Sequence, residues 1–73
     1  MTFDIGKGYK DAQGRMWHVL FKTPLLGGMV LSLVRREPPG IETYALAVVE
    51  EWPGKRAYGV HAEGYITIYD YEG

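Results

Sequence analysis

His18, His61 and Ser32 are the side chains of this 73-residue chain that, with its carboxylates, could supply a general base, a metal ligand or a nucleophile. A serine attacks only when an imidazole and an acid converge on it. Ser32 lies in the apolar alternation Met29-Val30-Leu31-Ser32-Leu33-Val34, with none of the elbow glycines that would expose a nucleophile. A metal needs three or four ligands at fitting spacing. His61 and Glu63, two residues apart, could point the same way, but Asp70 and His18 do not complete a recognisable set. Gly6-Lys7-Gly8 and Gly27-Gly28 are too sparse for a phosphate loop, and neither opens a helix. These residues predict a protein that is not an enzyme, with no metal and no cofactor.

What remains is the chemistry of contact. In Tyr65-Ile66-Thr67-Ile68-Tyr69-Asp70-Tyr71, strand alternation sends Ile66 and Ile68 to one face and the tyrosines to the other. The aliphatic pair belongs to a core, so Tyr65, Tyr69 and Tyr71 form an outward row. Tyrosine brings large area on few rotatable bonds and is enriched where interfaces hold their energy. Trp52, beside a turn, and the acids Glu50, Glu51, Glu63 and Asp70 complete the candidate binding set. Trp17, in the middle of an alternating segment, reads as core.

These residues have to be positioned by strands. Glycine and proline cut the chain into strand-length pieces. Phe3 to Tyr9 comes first, with Phe3 and Ile5 sharing a face, and Asp11-Ala12-Gln13-Gly14 follows as a tight turn. Arg15 to Thr23 is the clearest strand, with Trp17, Val19 and Phe21 on one side. Pro24-Leu25-Leu26-Gly27-Gly28 reads as a loop carrying an exposed apolar pair. Met29 to Arg36, apolar on both sides, reads as a central strand covered on each face, ended by Glu37-Pro38-Pro39-Gly40.

Ile41 to Trp52 supports two readings. Ile41, Tyr44, Ala45, Val48, Val49 and Trp52 fit a helical stripe. As a strand, Tyr44, Leu46 and Val48 face inward and Ala45, Ala47 and Val49 outward. Glu50 and Glu51 would oppose a helix dipole at its C-terminus, which favours the strand. A Trp52-Pro53-Gly54-Lys55 turn then sets Glu51 opposite Arg56. A turn at Ala62-Glu63-Gly64 leads to the last strand, Tyr65 to Tyr71. The expected fold is all-β, one domain over residues 1–73: an antiparallel meander of five or six strands curled into an SH3-like half-open barrel. The alternative is α+β, with one helix at 41–52 on a four- or five-stranded antiparallel sheet.

A chain this short has a thin stability margin and usually adds disulfides, a metal or a second subunit. It contains no cysteine, so a homodimer is the route left open. The absence of cysteine, a start without a basic or apolar leader, and no apolar run near the ~20 residues of a membrane span lead to the expectation of a cytoplasmic protein away from the membrane. Net charge is −1, yet residues 1–36 carry six Lys and Arg against two acids, and residues 37–73 carry two against seven. Such a split gives either a dipolar surface or neutralisation between neighbouring strands. Lys7, Lys10, Arg15, Lys22, Arg35 and Arg36 could form a local basic patch. The acidic balance of the whole argues against a nucleic-acid partner.

The segment Gly8-Tyr9-Lys10-Asp11-Ala12-Gln13-Gly14-Arg15-Met16-Trp17 resembles the opening hairpin of short phage and prophage accessory proteins. Ala62-Glu63-Gly64-Tyr65 is similar to their second hairpin. The resemblance covers about a quarter of the chain and carries over no functional residue. It implies a mobile-element origin and, as such proteins often do, action by binding a host protein, antagonists of CRISPR and other defence systems included. The expected function is a non-enzymatic binding protein that inhibits or modulates a host protein. The alternatives are an oligomeric pocket protein that sequesters a small ligand such as a nucleotide, and a nucleic-acid-binding barrel.

Overall fold

The computed structural model describes residues 3–50 and 55–70. They form one six-stranded antiparallel sheet in chain order: β1 (Gly8–Lys10), β2 (Met16–Leu25), β3 (Gly28–Glu37), β4 (Ile41–Glu50), β5 (Arg56–His61) and β6 (Gly64–Tyr69). The sheet curls until Asp11, just past β1, bridges Ile68 of β6, and the Ala12 N–H donates to the Thr67 carbonyl at 3.2 Å. The expected all-β half-barrel is the fold. Residues 41–50 are strand, so the helical stripe was coincidence.

The concave side holds the core: Phe3, Tyr9, Trp17, Val19, Leu31, Leu33, Ala45, Ala47, Ala57, Ile66 and Ile68. In β4 the faces are the reverse of the expectation. Ala45 and Ala47 are buried, while Tyr44, Leu46 and Val48 are exposed. The cause is the tightness of the curl. Ala47 pairs with Gly59 and Val49 with Ala57 across β4 and β5. A β-carbon on Gly59 would lie 1.8 Å from the Leu46 carbonyl oxygen and 2.6 Å from the Ala47 Cα. Only glycine and alanine let the strands coil this closely, so the bulky set has to turn outward.

Phe21 changes side as well. The β2–β3 register shifts between Val19 and Phe21, a bulge that takes up Leu20 as an extra residue. Trp17 and Val19 stay inside, and Phe21 emerges 66% exposed. The β2–β3 loop shrinks to Leu26–Gly27, with Gly27 at φ 71°, so Pro24 and Leu25 belong to β2. Leu25 and Leu26 are exposed, as expected. β3 is central; of its outer residues Val34 is fully buried, while Val30 and Ser32 are half-buried and no further layer of described residues overlies them.

The N-terminal strand is short because Gly6, at φ 85°, and a Lys7 N–H to Asp4 carbonyl bond turn the chain before it. Phe3 and Ile5 therefore part: Phe3 plugs the core against Tyr9, ring centroids 5.0 Å apart, and Ile5 is exposed. Asp70 Oδ2 accepts the Phe3 N–H at 2.8 Å, and the Tyr9 hydroxyl accepts the Asp4 N–H at 2.8 Å.

Asp11 ties the other end. Its Oδ1 accepts the Gln13 and Arg15 N–H groups at 2.9 and 2.8 Å, and its Oδ2 accepts Arg15 Nε–H at 2.8 Å and Trp17 Nε1–H at 2.9 Å. Burial by itself raises the carboxyl pKa. The donors from Trp17 and Arg15 outweigh it and hold the pKa below its ordinary 3.8. The lowered pKa means that the stabilisation is present above the unfolded value and is lost as pH falls through the folded one.

Two outcomes follow. Gly59→Ala loses about 2 kcal/mol or more in urea unfolding, since backbone must move to admit the methyl group. Asp11→Asn lowers stability at pH 7 and flattens the stability-against-pH curve below about pH 4, where wild type declines.

Candidate interaction face

The convex side of the sheet is where the unused apolar residues gather. Register sets them in rows. One row runs Phe21, Ser32, Leu46, Val60, Tyr65 across β2 to β6; the next runs Thr23, Val30, Val48, Tyr58, Thr67. Beyond Leu46 along β4 lies Tyr44, paired with Val34, and then Glu42, paired with Arg36. At the opposite end Glu50, Arg56 and Tyr69 form a row. Phe21, Tyr44, Leu46, Val48, Tyr58, Val60, Tyr65 and Tyr69 are all exposed, Tyr65 by 84%.

The face is rimmed by closed ion pairs. Arg36 Nε meets Glu42 Oε2 at 2.8 Å. Arg56 forks onto Glu50 Oε2 through Nε at 3.0 Å and Nη2 at 2.8 Å, and its guanidinium lies 5.3 Å from the Tyr58 ring centre. The Glu50 carboxylate, by hydrogen bond and by charge, raises the Tyr58 phenol pKa above 10.0. Between Tyr44, Leu46, Val60, Ser32 and His61 runs an open groove of about 390 Å³. Its walls are apolar and contain no ammonium or guanidinium group, so it suits a hydrocarbon or aromatic side chain better than a phosphate.

The expected contact residues divide. Tyr65, Tyr69 and Glu50 lie on this face. Glu63 sits at the β5–β6 turn, where it takes Arg35 at 3.2 Å and Arg15 at 3.6 Å. Asp70 is buried and holds the Phe3 backbone, which corrects its reading as a surface contact. Trp52, Glu51 and Tyr71 fall outside the described residues. Arg56 pairs with Glu50, one residue from the Glu51 expected, because Glu50 is its register partner. Phe21, Tyr44, Leu46, Val48, Tyr58 and Val60 were missed as surface residues. Ala45 and Ala47 opposite Ala57 and Gly59 were the available signal.

His61 and the arginines of the first half have structural employment. The His61 ring stacks 5.2 Å from Trp17; its Nδ1 accepts the Glu63 N–H, which leaves Nε2–H to donate to the Tyr65 carbonyl, both at 3.2 Å. Arg35 is buried over the Trp17 ring and ion-pairs with Glu37 and Glu63. With Arg15 on Asp11 and Arg36 on Glu42, the arginines of the first half are neutralised, and they do not build a basic patch. Of the two readings of the charge split, neutralisation between neighbours is the one realised at these residues. Among the described residues no three His, Asp or Glu side chains are grouped as a metal would need.

Glu50→Gln brings the Tyr58 titration, followed by NMR of the ring, down towards the free-phenol value. An unchanged Tyr58 pKa would mean that the carboxylate does not govern the ring. Comparison with protein families, with curated proteins and with solved structures finds no match for this chain.

Proposed function

We propose that the chain is a non-enzymatic cytoplasmic binding protein of phage type that docks on a host protein and inhibits or modulates it. The tyrosine-bearing flank of the convex face, on β5 and β6, is the surface that carries this reading. Tyr58, Tyr65 and Tyr69 stand there, bordered by the Glu50–Arg56 pair. A large exposed aromatic gains about 2 kcal/mol on burial, and Tyr65 is 84% exposed. A partner offering apolar pockets and a polar rim meets both needs of the surface. The apolar groove walls and the paired arginines give little support to nucleotide capture or to nucleic-acid binding, which both require cations free to meet phosphate.

The test is binding by the Tyr65→Ala/Tyr69→Ala variant. Both side chains point outward, so the melting temperature stays near that of wild type. A host protein retained from bacterial lysate by wild type is bound roughly a hundredfold more weakly by the variant. Equal retention by the two would remove this flank from the function.

A further inference from the structure

We infer that the middle of the convex face, the strip formed by β3 and β4 with Phe21 of β2 and Val60 of β5, is an interface between two copies of this chain. The inference goes beyond the host-binding reading and uses a different part of the face.

The strip is self-complementary about a two-fold axis drawn in the plane of the face, along the strands and midway between β3 and β4. Adjacent strands are about 4.8 Å apart, so β2 and β5 each lie about 7 Å from that line, on opposite sides. Phe21 projects on the β2 side, and the groove beside Val60 and Leu46 opens on the β5 side in the same cross-strand row. A half-turn about the axis brings the knob of each copy over the groove of the other. Two-fold interfaces require this reciprocity.

The remaining positions obey the same relation. Ser32 faces Leu46 of the second copy, small against large, and the half-buried Val30 faces Val48. At one end Arg36 and Glu42, already paired within the chain, meet the second copy's Glu42 and Arg36, so opposite charges face each other. An axis across the strands would instead set Glu42 against Glu50.

The area fits. Phe21, Tyr44, Leu46, Val48 and Val60 are 66, 58, 59, 44 and 54% exposed. With aromatic side chains of ~150–250 Å² and smaller aliphatic ones, they offer on the order of 500 Å². The Arg36–Glu42 rim carries this towards the ~800 Å² per partner of a stable complex. β6 with Tyr65 and Tyr69 stays outside the footprint, so the dimer displays two host-binding flanks.

The experiment is sedimentation equilibrium from low to high micromolar concentration on wild type, Leu46→Asp, Glu42→Arg, the Arg36→Glu/Glu42→Arg double variant and Tyr65→Ala/Tyr69→Ala. Wild type reaches twice the chain mass. Leu46→Asp, at an exposed position, keeps the wild-type circular dichroism and weakens the dimer roughly thirtyfold or more. Glu42→Arg weakens it and the double reversal restores it. The tyrosine variant dimerises as wild type does, so failure of host binding and failure of the dimer are read separately. In a sample mixed from differently labelled chains, inter-copy NOEs connect the Phe21 ring to Val60 methyl groups. A monomer throughout, or a dimer indifferent to Leu46→Asp and lacking those NOEs, overturns the inference.

Discussion

The width of the concave side governs this molecule. Trp17, Phe3, Leu31, Leu33, Ile66 and Ile68 fill the half-barrel to full burial. On β4 and β5 the middle of the same side is lined by Ala45, Ala47, Ala57 and Gly59, with Val49 and His61 at its ends. Strand alternation then leaves the large partners of those small residues on the convex side. Tyr44, Leu46, Val48, Tyr58 and Val60 are thus outside because the inside is closed to them. A surface this apolar, in a chain of 73 residues, is a consequence of packing geometry, and it is the surface on which the proposed binding rests.

Closure depends on two buried carboxylates. Asp11 collects four donors and sits where β1 gives way to the bridge with β6. Asp70 fixes Phe3, the residue that fills the far end of the core. Each turns a chain segment that has little regular structure into part of the barrel wall, and each keeps the curl tight enough to exclude bulk from β4 and β5. Acidification acts on the first of these ties, so loosening of the barrel and loss of the convex face's shape should accompany each other.

Much of the architecture was legible in the residues. Asp11 to Gly14 turns as its Asp and Gly require, Ile66 and Ile68 point inward, and Tyr65 and Tyr69 outward. The misreadings share a cause. Judging a face by its hydrophobicity put Tyr44, Leu46 and Val48 in the core, whereas volume decides: the face opposite Gly59 can only be the inner one. Phe21 was assigned by unbroken alternation, and a one-residue bulge at Leu20 reverses it. The surface role of Asp70 was misjudged because its partner, the Phe3 amide, lies 67 residues away, a separation that no local pattern reports.

The account stands on the claim that the bulky side of β4 is the outer one. Paramagnetic relaxation from a small, inert gadolinium chelate, read on methyl groups in a dilute sample, addresses it directly. Broadening is expected at Leu46, Val48 and Val60, with Leu31, Leu33, Ile66 and Ile68 shielded together with the methyl groups of Ala45 and Ala47. Exposure of Ala45 and Ala47 with Leu46 and Val48 shielded would contradict it, and the convex face would lose both its apolar character and its claim to bind.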